Sequence, residues 1–148
     1  MSVGSDTVKL VSTALDGGDG FTPLSEQEKL YSFAAAHKIP NLVCLGLRKC
    51  GIKPIEKFEQ ASLTGLYGCA VQEAALDEIG RAFTSRGIHY LPLKGSELRK
   101  LYPSDDLRTC GDLDILIEDG ADRFLPEIAS ETGLEFKDDS GVEVTFVK

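Results

Sequence analysis

Two aspartates open an apolar stretch near the end of the chain, and their spacing indicates metal chemistry. The segment GDLDILI places Asp112 and Asp114 directly before the apolar residues 115–117. Such residues predict a buried β-strand, and side chains two apart in a strand point to the same face. Two like charges on one face repel each other unless a cation lies between them, and Mg²⁺ and Mn²⁺ prefer carboxylate oxygens as ligands. The pair therefore predicts a divalent metal site at a strand end.

An anion site is predicted a short distance upstream, in the segment LPLKGSEL. Its pattern predicts a strand over residues 88–94, a turn at Gly95 and Ser96, and a short helix over residues 97–102. Backbone amides at such a turn bind anions, and the Ser96 hydroxyl adds a further donor. Lys94 and Arg108 add positive charge. An anion site beside a metal site is typical of a pocket for a nucleoside triphosphate (NTP) with Mg²⁺.

Each of these residues also has a purely structural interpretation. An Asp-x-Asp pair by itself is often a solvated strand end without a metal. Lys94 could simply face solvent where its strand ends. Arg108 could pair with Asp105, Asp106 or Asp112 instead of a ligand. The functional interpretation therefore depends on the two segments occurring together.

Composition limits the function classes that the chain can serve. The 148 residues are 42% hydrophobic and 27% charged, which suits one globular domain with or without a helical appendage. The formal net charge of −8 argues against bulk nucleic-acid binding, which needs a basic face. The four cysteines form no CxxC pair, so we expect free thiols and a cytoplasmic location without a closed zinc centre. No apolar run reaches the roughly 18 residues of a membrane span.

The order of the predicted elements indicates an α+β fold. Residues 1–24 are predicted to be flexible or partly helical, and residues 25–86 form a helical lead-in. Residues 87–148 are then predicted to form an α/β core around a small mixed β-sheet. Its strands are predicted at residues 88–94, 112–117, 134–137 and 142–148, with an amphipathic helix over residues 121–132.

The helical lead-in carries its own start signals. Ser25 and the glutamate three residues later form a capping box, which predicts a helix to about residue 37. Asn41 is predicted to cap the next helix. A long helix follows over residues 55–86, in which apolar residues recur at roughly helical spacing: Leu63, Leu66, Tyr67, Ala70, Ala74, Ile79 and Phe83. The aromatic residues Phe33, Tyr67 and Phe83 are predicted to lie in the core.

The combination of LKG, LYP, LR and GDLDIL resembles the uncharacterised nucleotidyltransferase group of the DNA polymerase β-like superfamily. The superfamily pattern is a Gly-Ser turn at a helix start followed by an Asp-x-Asp strand, here Gly95-Ser96 and Asp112-x-Asp114. The segment LYSFAAAHKIPNLVCLGLRKCG is similar to the helical lead-in of that group. The resemblance runs from Ser25 to Lys148 and is most specific in its middle third. It implies that residues 87–148 form a nucleotidyltransferase-like core.

The resemblance implies transfer of a nucleoside monophosphate from an NTP to an acceptor that the sequence does not identify. Asp112 and Asp114 would hold two Mg²⁺ (or Mn²⁺) ions, one lowering the pKa of an acceptor hydroxyl and one neutralising the triphosphate. Gly95 and Ser96 would cradle the β- and γ-phosphates. The superfamily also uses a third carboxylate on a later strand, and Glu143 is the one candidate here. In the resembled group that strand would follow residues 142–148, so we expect either a fragment of a longer protein or an incomplete site.

Two rival interpretations come from other classes of protein. A non-catalytic module could bind a nucleotide or a protein partner through a degenerate or truncated site. Glycosyltransferases also use an Asp-x-Asp pair with a metal, but their nucleotide-sugar domain is larger and begins with a Rossmann-like half. The absence of such a half from this sequence disfavours the glycosyltransferase interpretation.

Overall fold

The computed structural model describes residues 2–17, 21–108, 111–139 and 144–147, with backbone alone for residues 136, 138 and 144–147. The chain forms two compact units, and each unit is built from two separate stretches. The helical unit comprises Met1–Val71 and Lys94–Asp112. The strand unit comprises Gln72–Leu93 and Leu113–Lys148.

The helical unit contains α1 (Val3–Asp16), α2 (Gln27–Ala36), α3 (Pro40–Lys49) and the first half of α4 (Glu56–Ser85). These helices enclose an apolar core formed by Leu10, Leu30, Ala34, Val43, Cys44, Leu47 and Phe58. Helices α1 and α3 come into close contact at Gly46. A Cβ atom there would lie 2.2 Å from the carbonyl oxygen of Leu10, so the packing of these two helices requires a glycine.

The helix starts differ from those predicted. Helix α2 begins with no side-chain cap, and the Ser25 amide instead donates to the carboxylate of Asp6. Helix α3 begins with Pro40, so Asn41 lies inside the helix and does not cap it. Both predicted capping roles are therefore wrong. The capping patterns describe local options only, and here contacts distant in sequence supply the partners.

Asp6 joins α1 to the segment that leads into α2. Its side chain is fully buried, and Oδ2 accepts hydrogen bonds from the amides of Leu24 (3.1 Å) and Ser25 (2.9 Å). Burial alone would raise the pKa of Asp6, but the Ser25 hydroxyl and these two amides outweigh burial and lower the pKa below its ordinary 3.8. Asp6 is therefore a buried anion held by directed donors.

Helix α4 runs from Glu56 to Ser85, as predicted to within one residue at each end. The prediction that Phe83 lies in the core is confirmed, whereas the same prediction is wrong for Tyr67 and for Phe33 on α2. Leu63, Leu66 and Tyr67 are 67%, 56% and 74% exposed. Helical spacing identifies an apolar face but not what covers it, and in the first half of α4 only Phe58 belongs to the buried core of the helical unit.

The strand unit is organised around the antiparallel pair of β1 (Tyr90–Leu93) and β2 (Asp114–Ile117). Tyr90 pairs with Ile117 and Leu93 pairs with Asp114. A hydrogen bond of 3.1 Å from the Glu118 amide to the His89 carbonyl extends the pairing by one residue. One side of this ladder packs on an apolar cluster centred on Phe83, Ile88, Ala121 and Ile128.

Gly80 sets the contact between α4 and β1 inside the strand unit. Its position is buried, and an added Cβ would lie 2.3 Å from the Tyr90 hydroxyl oxygen and 3.1 Å from its Cζ. The Tyr90 ring also packs on Phe83, with ring centroids 5.3 Å apart. The phenol is thus held against the helix at a point where a methyl group would not fit.

A second helix and two further strands complete the strand unit. Helix α6 (Leu125–Thr132) is tied to the end of α4 by Arg86, whose guanidinium contacts Glu127 at 3.1 Å and Glu131 at 2.6 Å. Strands β3 (Glu135–Asp139) and β4 (Val144–Val147) pair antiparallel, with a register shift in the middle of β3.

The α+β class is confirmed, but the single mixed sheet is not what the described strands form. They make two separate antiparallel pairs, β1 with β2 and β3 with β4. The connection from β1 to β2 returns the chain antiparallel to its first direction. Across the described ranges, no helix combines the length and apolar character needed to cross a membrane.

Replacing Asp6 with alanine should lower the free energy of unfolding by about 2–3 kcal/mol, because buried amides lose a charged acceptor. Urea denaturation at neutral pH measures this change. The matched control is Asp16→Ala at the exposed end of the same helix, where a change within about 0.5 kcal/mol is expected.

The pH dependence of this stabilisation follows from the direction of the pKa shift of Asp6. Because the pKa of Asp6 is lowered in the folded state, its stabilisation is fully present above pH 3.8 and is lost as pH falls through the lower folded pKa. The stability advantage of the wild type over Asp6→Asn should therefore shrink in that acidic window. A difference that stays constant from neutral pH downward would contradict this assignment.

Replacing Gly80 with alanine should destabilise the protein by about 1–3 kcal/mol, because the methyl group would displace the Tyr90 phenol. The same substitution should cost less in a Tyr90→Phe background, where the nearest atom is absent. Gly68→Ala is the matched control in the same helix, since nothing lies within 4 Å of that position. It should gain up to about 1 kcal/mol of helix propensity. Equal effects of Gly80→Ala and Gly68→Ala would contradict the proposed contact.

Candidate functional site

The segment after β1 forms a tight turn and then a single helical turn. Helix α5 spans Gly95–Leu98 and continues as a 3-10 turn over Arg99–Leu101. The Leu98 amide closes the first turn by donating to the Lys94 carbonyl at 2.8 Å. The short helix predicted here is therefore present, but α-helical hydrogen bonding lasts for one turn only.

The strained residue of this turn is the lysine and not the glycine. Lys94 has φ 47° and ψ −107°, a region that L residues rarely occupy. Gly95 is not among the described glycines with positive φ. Such strain costs about 1–3 kcal/mol and is found mainly where a side chain has a function. The backbone of Lys94 thus supports a role for its charged side chain.

Two residues of the predicted anion site, Lys94 and Ser96, differ in accessibility. Lys94 is exposed, whereas Ser96 is only 5% exposed. Burial limits the Ser96 hydroxyl to holding the turn or to contacting a ligand that the turn encloses. Backbone amides and Lys94 are consequently the better placed donors for an anion in solution.

Arg108 follows a turn that is anchored in the helical unit. The 3-10 turn Asp105–Leu107 places Leu107 in a buried cluster with Ala14 and Leu42. The Asp106 carbonyl accepts a hydrogen bond of 2.9 Å from the Asn41 side chain. Arg108 itself is half-buried in extended backbone. Its starting point is therefore fixed by packing and by a hydrogen bond.

The two aspartates occupy different local structures. Asp114 is the first residue of β2, is half-buried and pairs with Leu93. Asp112 precedes the strand, is exposed and belongs to the helical unit. The argument from strand alternation needs both aspartates in one strand, and it therefore does not hold for this pair, because β2 begins two residues later than predicted. The turn that begins at Lys94 and leads into α5 is called the lysine turn below. Leu93 is bonded to Lys94, so the register sets Asp114 opposite the last residue before this turn.

A third protein ligand is not found among the residues that the structure describes. Within residues 2–17, 21–108, 111–139 and 144–147, no group of three or more His, Cys, Asp or Glu side chains could hold a metal ion. Glu143, the predicted third carboxylate, lies outside these ranges. Its role as a metal ligand stays a prediction.

One basic residue in this region was missed by sequence reasoning. Arg99 is only 3% exposed, and its Nη1 lies 3.2 Å from the Cys69 sulfur on α4. It is one of four basic residues in the stretch from Lys94 to Arg108 of an otherwise acidic protein. Its position three residues after Ser96 gave no signal, because an arginine on a short predicted helix is usually solvated.

Comparison with known proteins identifies one family. Residues 23–146 match the model of a family described as an uncharacterised nucleotidyltransferase. The match includes the lysine turn, Arg108 and both aspartates. No curated protein and no solved structure matches the chain. Membership of the wider DNA polymerase β-like superfamily stays a prediction.

Replacing Lys94 with glycine should raise the free energy of unfolding by about 0.5–2 kcal/mol, because glycine adopts positive φ without the strain. Lys94→Ala keeps the strain and should not show this gain. Urea denaturation of both variants measures the difference. Lys38→Gly is the matched control, since Lys38 also has positive φ (57°) and lies outside the candidate site. If Lys94→Gly were no more stable than Lys94→Ala, the strain argument would fail.

Proposed function

The chain belongs to the uncharacterised nucleotidyltransferase family, and from this premise we propose that it transfers a nucleoside monophosphate from an NTP to an acceptor. In this reaction an acceptor oxygen forms a bond to the α-phosphorus of the NTP. The bond from that phosphorus to the bridging oxygen breaks, and pyrophosphate leaves with the electron pair. The acceptor releases its hydroxyl proton to solvent.

One observation carries the proposal beyond family membership. The β1–β2 register sets Asp114 opposite Leu93, and Lys94 begins the strained turn directly after Leu93. A slip of one residue in this register would move Asp114 to the other face of the ladder. The pairing therefore fixes a carboxylate relative to the strand end from which the lysine turn departs.

The proposed phosphate contacts are Lys94, the amides of Gly95 and Ser96, and Arg108. Lys94 is exposed and Arg108 is half-buried, so both are accessible to a polyanion. Preorganised positive groups in a partly dry setting stabilise charge that develops during transfer far better than water does. In a chain of net charge −8, such groups also limit anion binding to this locality.

Asp112 and Asp114 suit Mg²⁺ or Mn²⁺ by their donor chemistry. Mg²⁺ is commonly held by one or two carboxylates together with substrate phosphates, and it rarely needs a complete protein cage. When bound, such a metal neutralises triphosphate charge and polarises the reacting oxygens. With two protein carboxylates, the site should hold the free metal weakly and the metal–NTP complex more tightly.

A second candidate function is nucleotide binding without transfer. The observation that favours it is the lack, within the described ranges, of a third carboxylate, histidine or cysteine to complete a metal site. In that case the lysine turn would still bind phosphates, but the chemical step would be slow or absent.

The double variant Asp112→Asn/Asp114→Asn should lose Mg²⁺-dependent NTP binding, because both proposed oxygen ligands lose their charge. Calorimetric titration with ATP, GTP, CTP and UTP, each with and without Mg²⁺, measures this loss. Where the wild type also transfers an α-phosphate label and releases pyrophosphate, each single substitution should lower the rate by about 10²–10³.

The control is Asp119→Asn/Asp122→Asn, which removes the same charge from two exposed aspartates after β2. It should leave Mg²⁺-dependent binding intact. Identical metal responses in the two double variants would overturn the metal assignment. NTP binding without label transfer or pyrophosphate release, over a panel of acceptor alcohols, would favour the second candidate function.

A further inference from the structure

A buried amide in the helical unit holds the turn that precedes Arg108. Asn41 on α3 is 3% exposed, and its Nδ2 donates to the Asp106 carbonyl at 2.9 Å, across 65 residues of sequence. Leu107, the next residue, is 6% exposed and packs with Leu42, the neighbour of Asn41. Two successive residues of the turn are therefore fixed, one by a hydrogen bond and one by packing.

Helix α4 passes directly over this amide, and Gly65 makes the passage possible. A Cβ atom at Gly65 would lie 2.0 Å from Asn41 Nδ2 and 3.4 Å from the Asp106 carbonyl oxygen. A methyl group at this position would have to displace the amide from its acceptor. Helix α3, helix α4 and the 3-10 turn thus meet at one hydrogen bond, which we call the Asn41 clamp.

We propose that Asn41 is a positioning residue that sets the location of Arg108 through the Asn41 clamp. Arg108 follows the two clamped residues directly, so the clamp fixes the point from which its backbone continues. Displacement of a ligand-binding group by about 1 Å can lower the activity of a pre-organised site by about 10²-fold. The inference rests on the proposed function in one respect, which is that Arg108 contacts the phosphates of an NTP.

The first test measures the binding of each of the four NTPs, with Mg²⁺, to the Asn41→Asp variant. This variant keeps the shape of the side chain but places an acceptor oxygen opposite the Asp106 carbonyl. Its Kd should rise about 10- to 100-fold. The control is Val43→Ala, a fully buried position of the same helix that lies outside the clamp. It should lower stability and leave Kd unchanged. Equal increases in Kd for both variants would reduce Asn41 to a merely structural role and overturn the proposal.

A double-mutant cycle separates action through Arg108 from any other effect. In an Arg108→Ala background, Asn41→Asp should raise Kd by less than about 2-fold, because the group that it positions is already gone. Undiminished loss of affinity in that background would overturn the proposal. Should Asn41→Asp fail to fold, Gly65→Ala opens the same clamp from α4, and the same outcomes apply to it.

Hydrogen exchange distinguishes failure of the clamp from failure of the proposed function. In the unliganded protein, amides of residues 106–108 should exchange faster in Asn41→Asp than in Val43→Ala. Unchanged exchange would overturn the clamp whatever the protein binds. Faster exchange in a protein whose wild type binds none of the four NTPs would support the clamp and reject the proposed function.

Discussion

The fold depends on three places where a helix surface carries no side chain. At Gly46, Gly65 and Gly80 the helix is approached by a backbone carbonyl of α1, by the amide of Asn41 and by the phenol of Tyr90. Each approach is closer than a methyl group permits. Helix propensity disfavours glycine by about 1 kcal/mol relative to alanine, so each of these positions gives up intrinsic stability for contact. The contacts join α1 to α3, α3 to α4, and α4 to β1.

The electrostatics of the candidate site oppose those of the whole chain. The protein carries a net charge of −8, yet the stretch from Lys94 to Arg108 holds four basic residues against three acidic ones. One of them, Arg99, is almost fully buried, and another, Lys94, is held in strained backbone. Desolvation and strain both cost stability. A site for a polyanion gives these costs a physical reason, whereas a solvated surface would not.

Sequence patterns predicted element types well and tertiary partners poorly. The bounds of α4, the strand around Leu91 and the Asp-x-Asp strand follow from periodicity and turn residues, which are local properties. Ser25 was predicted to cap α2 because its local motif allows this role. Its amide instead donates to the buried carboxylate of Asp6, nineteen residues earlier in the chain. Tyr67 was predicted to be buried because its spacing is helical, and spacing does not identify a covering surface. The backbone strain at Lys94 could not be predicted from the sequence, because any residue type can occur in a turn.

The composition of the two units also orders the events of biosynthesis. The chain passes between the units after Val71, after Leu93 and after Asp112, so neither unit is one continuous segment. On the ribosome the helical unit lacks Leu107 of its buried cluster until synthesis has passed β1. Strand β1 is synthesised before its partner β2, and an unpaired strand edge is a site of off-pathway association in a nascent chain. The residues proposed to bind phosphate are therefore synthesised in the interval when both units are unfinished.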